Sequence, residues 1–226
     1  MTKSSRDSEN LSDLFGQIYR DSLWGTSPDT GETFYSGHGS HDPMLVMPYL
    51  YSVRGFLHGF HLHNGRRPDV LDIGCGDFTI GARLADLANW YLACDVVAQL
   101  IDRNRKRFRR DGLEFLVLDA TRSAPPDADI TVIRQVLQHL SNEQIAAILE
   151  RLPEHCSYLV VTEEVPGKKD FVPNLDMLPG PGVRAEHGSG VVLTAKPFSL
   201  AVVEEVVLCD VPFGESRIRT SLYKLR

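Results

Sequence analysis

The residues best suited to chemistry are a glycine turn and the acids around it. Residues 70–81 read Val-Leu-Asp-Ile-Gly-Cys-Gly-Asp-Phe-Thr-Ile-Gly. The apolar run from Val70 reads as a buried strand that ends at Gly74-Cys75-Gly76. Two glycines at a strand-to-helix turn let the backbone bend sharply and let a ligand touch the main chain. Asp72 lies inside that strand. A second apolar run, Trp90 to Cys94, ends in Asp95. A carboxylate there suits a ribose diol, because it accepts from both hydroxyls. Thr79 stands where the dinucleotide fingerprint has its third glycine, and no P-loop pattern or nearby cation serves a pyrophosphate. The turn suits a nucleoside whose other half is not a phosphate.

Three further places could act on a bound molecule. Arg134-Gln135 ends a later strand at its carboxyl edge, where ligands bind in open α/β sheets. His139 follows four residues on, and a neutral imidazole can take a hydroxyl proton. Glu163 and Glu164 close the next strand and are alternative bases, although two adjacent glutamates are more commonly a solvated pair. His58, His61 and His63 are close in sequence, but no cysteine or acid joins them and no metal site is expected. The run Arg103 to Arg110 is read as a solvated helix face rather than an RNA contact.

These residues need a frame, and the frame is legible as alternation. Strands are expected near 70–73, 90–94, 113–118, 130–133 and 158–162. Helices are expected at Ile80–Leu87, Val97–Phe108 and Glu143–Leu152, the last opened by a capping box of Ser141 and Gln144. Two N-terminal helices, Leu11–Trp24 and Met44–Leu62, flank a Gly/Ser/His-rich loop at 25–43. Residues 1–10 are expected to fray. A proline- and glycine-rich stretch at 165–200 reads as a functional or mobile loop, short of apolar anchors. Two strands, Val202–Val211 and Ile218–Leu225, close the chain as a hairpin. The fold class is therefore α/β, a doubly wound Rossmann-like sheet, mostly parallel with an antiparallel C-terminal hairpin, plus N-terminal helices. The whole of 1–226 reads as one domain: a helical cap (1–65), a core (66–164), a substrate loop (165–200) and closing strands (201–226).

Composition agrees. The chain has 226 residues, 42% of them hydrophobic and 24% charged, with a net charge of −6. That balance suits a soluble globular domain and disfavours a nucleic-acid partner. No apolar run is long enough for a membrane span or a signal sequence, and the four cysteines have no C-x-x-C spacing. A cytoplasmic protein with reduced thiols is expected. Nothing in the sequence sets the oligomeric state.

Residues 66–164 resemble the class I S-adenosylmethionine-dependent methyltransferases, through Val70–Gly76, Asp95 and Asp119 in Leu118-Asp119-Ala120-Thr121. The front of the chain, Trp24-Gly25 and then Ser36-Gly37-His38-Gly39-Ser40, is similar to a group of small bacterial methyltransferases. The resemblance implies S-adenosylmethionine as cofactor. It implies that Asp72 orders the turn Gly74, Cys75 and Gly76 and the cofactor's ammonium end, and that Asp95 holds the ribose with Val96 beside the adenine. Asp119 and the N–H of Ala120 would meet the adenine, and Gln135 and Arg134 the methionine end. Ser36, Gly39 and Ser40 would cover the cofactor and hold its carboxylate. His139 matches a histidine found at this place in many small-molecule methyltransferases. The expected activity is methyl transfer to a small-molecule or saccharide-like acceptor, by preference at oxygen. The other readings are an RNA or protein methyltransferase and a non-catalytic cofactor-binding regulatory module.

Overall fold

The computed structural model describes residues 10–226; the expected fraying of 1–9 lies outside the described residues. Helix α1 (Leu11–Arg20) opens with Asn10 accepting from Ser12 N–H. Helix α2 (Pro43–Asn64) starts at Asp42, whose carboxylate accepts from Met44 N–H. It carries Pro43 in its first turn, where a missing N–H costs nothing. Then follow β1 (Asp69–Ile73), β2 (Trp90–Asp95), α3 (Ala98–Arg107), β3 (Leu113–Val117), β4 (Ile130–Arg134), α4 (Asn142–His155), β5 (Tyr158–Pro166), β6 (Glu204–Phe213) and β7 (Ser216–Lys224).

All seven strands form one sheet in the order β3-β2-β1-β4-β5-β7-β6. The first five are parallel, and β7 runs antiparallel to both β5 and β6. The order reverses beside β1, so the carboxyl ends of β1 and β4 diverge there and open a crevice. Alternation along each strand divides the core. Leu71, Ile73, Leu92, Ile133 and Leu159 pack with Ile145, Ile148 and Leu152 of α4 on one face. Val70, Tyr91, Val132 and Val160 pack with Tyr49, Val53 and Leu57 of α2 on the other.

Helix α4 begins as the sequence predicts, with both bonds of the capping box made between Ser141 and Gln144. The segment after β1 does not. Residues 80–87 are two 3-10 turns, Gly81–Arg83 and Ala85–Leu87, rather than an α-helix. Phe78 takes a positive φ of 62° and turns its fully buried ring inward against Tyr91, Phe108 and Phe115. A Cβ on Gly81 would lie 2.3 Å from that ring. The close-packing glycine of this turn is thus Gly81, two residues beyond the exposed Thr79.

The stretch 165–200 is irregular yet well anchored, contrary to the expectation of few apolar anchors. Val191 and Leu193 are buried in the core, as are Asn174 and Ser189. Asn174 donates to the carbonyls of Val192 and Lys196 and accepts from Val192 N–H. Arg184, 1% exposed, donates to the carbonyls of Leu137, Leu140 and Leu175.

Candidate active site

A cavity of about 330 Å³ opens over the carboxyl ends of β1, β2 and β4. Its floor is the glycine turn. Gly74 and Gly76 have φ of 72° and 56°, a region that β-carbon-bearing residues rarely adopt. The N–H groups of Gly74 and Cys75 both donate to Cys94 C=O. Asp95 receives Gly76 N–H on one oxygen (3.1 Å) and Val97 N–H on the other (3.0 Å). The acid therefore fixes the turn while facing the cavity, and burial raises its pKa. Asn104 on α3, fully buried, donates to Gly76 C=O at 2.7 Å and locks the turn from behind. Nothing in its sequence context marked it.

Asp72 lines the cavity on the α2 side and accepts from Tyr91 O–H at 2.8 Å. Burial pushes its carboxyl up to about 7. Asp119 and Thr121 line the far end with Val96, Leu118 and Ile148. Asp119 accepts from both the N–H and the hydroxyl of Thr121. Ala120 is different: it sits in the core, 5% exposed, and is not on the cavity wall.

The front segment is clasped to the turn. Ser36 N–H donates to Asp77 Oδ2 (3.0 Å) while Asp77 N–H donates to Ser36 Oγ (2.8 Å). His41 Nε2 lies 2.7 Å from the same carboxylate oxygen, and Tyr35 stacks on the His41 ring. These partners outweigh desolvation and hold Asp77 down at about 2. A Cβ on Gly76 would lie 2.3 Å from Ser36 Oγ, so the clasp itself requires that glycine. Ser36, Gly39 and Ser40 all reach the cavity wall. Gln135, at a positive φ of 54°, follows β4 and packs against Gly39, where a Cβ would meet its amide at 2.6 Å.

Of the three expected bases, two line the cavity. His139 Nδ1 is 3.0 Å from Gly182 C=O, which only accepts, so Nδ1 carries the proton and Nε2 the lone pair. Burial lowers this ring's pKa to about 4. Glu164 is half-buried on the wall and accepts from Ser216 Oγ at 2.5 Å. Glu163 faces away. Its two oxygens cap the N–H groups of Val136, Leu137 and Gln138 at 2.9–3.2 Å, and it is 3% exposed. The acidic pair is therefore neither solvated nor equivalent, because successive strand residues face opposite sides of the sheet.

The roof comes from both ends of the chain. Trp24 Nε1 donates to Pro181 C=O at 3.2 Å, and its ring lies 5.1 Å from that of His139. Tyr49, Pro181, Val183 and Phe213 complete the wall. They lie far apart in sequence, and no local pattern predicts that Tyr49 and Phe213 meet there.

Residues 70–157 match the Methyltransferase domain family. The uncharacterized methyltransferase Rv0089 of Mycobacterium tuberculosis (strain ATCC 25618 / H37Rv) is 33% identical over 79 residues, 34% of this chain and 40% of that protein. The chain thus spans well under half the length of the curated relatives it matches. Among solved structures, the N-methyltransferase NodS from Bradyrhizobium japonicum WM9, in complex with S-adenosyl-L-homocysteine, aligns with a TM-score of 0.60 at 16% identity, covering 96% of this chain and 99% of that one. The magnesium protoporphyrin IX methyltransferase ChlM from Synechocystis PCC 6803, with S-adenosylmethionine bound, aligns at 0.56 and 16% identity, covering 98% and 99%. At such identities the likeness speaks for the fold.

Proposed function

We propose that this chain, whose residues 70–157 match the Methyltransferase domain family, is a class I S-adenosylmethionine-dependent methyltransferase that transfers a methyl group from that cofactor to a small-molecule or saccharide-like acceptor at oxygen. One observation carries the reading: a glycine turn and two acids, Asp95 and Asp119, line one cavity. The residues fit the cofactor. Asp95 keeps lone pairs for ribose hydroxyls beyond its two backbone bonds. Val96, Leu118 and Ile148 offer an apolar slot, and Asp119 an acceptor at its end. Gly74, Cys75 and Gly76 would meet it between ribose and methionine, with Asp72 beside them, and Ser36, Gly39, Ser40, Gln135 and Arg134 would hold its methionine end.

The cofactor supplies an electrophilic methyl on a leaving group that departs neutral. The protein therefore has no leaving anion to stabilise, and its work is to align the acceptor oxygen and keep the site dry. Trp24, Pro181 and Val183 exclude water from above. Glu164 is the group placed to take the hydroxyl proton. His139 is the alternative base: its ring is neutral, with Nδ1–H given to Gly182 C=O and Nε2 lying 3.3 Å from the Gln138 amide. The roof favours a small acceptor over a polymer, since Trp24 and Pro181 bridge the cavity.

Calorimetry with S-adenosylhomocysteine and with NAD tests the donor. Binding of the first and not the second is expected; the reverse overturns the reading. A label-transfer screen over sugars, phenols and small acids then seeks the acceptor. An empty screen despite cofactor binding would favour a regulatory module.

A further inference from the structure

The end of the cavity over β5 and the β6–β7 hairpin is walled by rings and has few polar atoms to spare. Trp24, Tyr49, His139 and Phe213 all line it. The Trp24 and His139 rings lie 5.1 Å apart, and Phe213 faces the exposed His38 ring at 6.4 Å and 28°. Phe213 is tied to Glu164, because Ser216 Oγ lies 2.5 Å from Glu164 Oε1 and 2.8 Å from Phe213 C=O. A ring platform and a carboxylate are thus fixed next to each other on one wall. The polar groups around them are spent on one another. Ser40 Oγ, Gly39 C=O and Gln135 Oε1 accept from Arg134. Gln138 Oε1 accepts from Glu164 N–H, which turns its amide N–H2 toward His139 Nε2 at 3.3 Å. His139 Nδ1 and Trp24 Nε1 donate to the carbonyls of Gly182 and Pro181. Of these side chains, bonding only within the described residues, three polar groups stay unbonded: the second Glu164 oxygen, the Tyr49 hydroxyl and the Gln135 amide N–H2.

We infer that the methyl acceptor is a phenol, its flat ring seated against Phe213 and its hydroxyl on the unbonded oxygen of Glu164. The inference rests on the methyl-transfer reading and narrows its acceptor. A sugar ring brings several hydroxyls, and each one buried without a partner costs its desolvation. Three unbonded groups cannot satisfy them all, but they suffice for one or two hydroxyls on an aromatic ring. Aromatic rings favour other rings at centroid distances of roughly 4.5–7 Å, which a wall of this kind offers. A phenol, with a pKa of about 10, also gives up its proton more readily than an aliphatic hydroxyl, as suits a carboxylate base. The phenol oxygen passes its proton to Glu164 and bonds to the methyl carbon as the S–CH3 bond breaks. The electron pair of that bond stays on sulfur, and the products are an aryl methyl ether and S-adenosylhomocysteine.

Two probes, catechol and methyl glucoside, test this on the full chain, by calorimetry with saturating S-adenosylhomocysteine and by label transfer from S-adenosylmethionine. Catechol is expected to bind and to leave with label in its methyl ether, while methyl glucoside does neither. Phe213→Leu keeps apolar bulk and loses the ring. It should weaken catechol by about tenfold, read as a raised KM at nearly constant kcat, and leave S-adenosylhomocysteine binding as in wild type. Phe213→Tyr should restore catechol, and it serves the comparison with wild type should Phe213→Leu fail to fold. Methyl glucoside accepted and catechol refused overturns the phenol in favour of a saccharide. Refusal of both, or catechol bound without label transfer, overturns it as well. Catechol binding untouched by Phe213→Leu overturns the seat on that ring. Wild-type protein that ignores S-adenosylhomocysteine altogether overturns the methyl-transfer reading instead.

Discussion

Burial sets what His139 can do. With Nδ1 committed to Gly182 C=O and a pKa near 4, its ring stays neutral from pH 6 to 9. A histidine acting as base in its ordinary range would make the rate climb with pH through the sixes. Here no such limb is expected whether or not the ring is the base, so the variants decide: loss of kcat in His139→Ala but not in Glu164→Gln would make the ring the base. Glu164→Gln is expected to lower kcat by about 10²–10⁴ at unchanged affinity for S-adenosylhomocysteine, the usual scale for a lost proton acceptor. Asp95→Ala is expected to weaken S-adenosylhomocysteine by ~1.5–3 kcal/mol, the range for hydrogen bonds to a charged group. Asp95 is legible as a cavity residue because it follows an apolar run whose direction the parallel sheet fixes, and Asp119 through the resemblance of Leu118-Asp119-Ala120-Thr121. Glu163 was not, because which of two adjacent glutamates faces the cavity depends on strand parity and on N–H groups 26 residues away.

At the scale of elements, the front segment is held at separate points: the Asp77 carboxylate, Arg134 against Gly39 and Ser40, and Arg103 and Arg107 against Glu32. Ser36 and His41 both meet Asp77, while 25–34 carries little buried surface. Hydrogen exchange in 35–42 is expected to slow when cofactor binds, since the segment then closes on a filled cavity. Identical protection with and without cofactor would reduce the segment to a linker. The strands and α2, α3 and α4 were readable within a few residues, for their periodicity and caps agree with their burial. The turns at 80–87 were not, because a long-range aromatic cluster around Phe78 overrides local helix preference. The 165–200 stretch is the irregular loop its composition predicts, but its anchors escape sequence reasoning: Val191 and Leu193 are isolated apolar residues, and Asn174 and Arg184 are polar side chains bonded to distant backbone carbonyls.

For the molecule as a whole, buried ionisable groups set the pH dependence of stability. Asp72 and Glu163 have folded pKa values raised to about 7, so the native state holds protons that the unfolded chain has released. Their contribution is full below about pH 4 and is lost as pH rises through 7. His139 works the other way, its pKa lowered to about 4, and its contribution is lost as pH falls below its ordinary value. Between pH 4.5 and 6.5 two acids oppose one histidine and the native state keeps one extra proton. Stability from these groups should therefore fall by about 1.4 kcal/mol per pH unit through that window. Urea melts at pH 5 and pH 8 would read it, and Asp72→Asn should be more stable than wild type at pH 8, with the gap shrinking at pH 5. No described helix is long and apolar enough to cross a membrane.

Trp24, the side chain that bridges the two ends of the chain over His139, is also one of only two tryptophans. The other, Trp90, lies at the start of β2 and donates to Glu114, at the opposite end of that strand from the cavity. Trp90→Phe thus leaves a single fluorophore on the seam between the front segment and the 179–183 loop. Its emission should shift saturably as cofactor is added, giving an optical titration of closure that needs no knowledge of the acceptor. A spectrum unmoved by saturating cofactor would mean that the seam is already shut before the cofactor arrives.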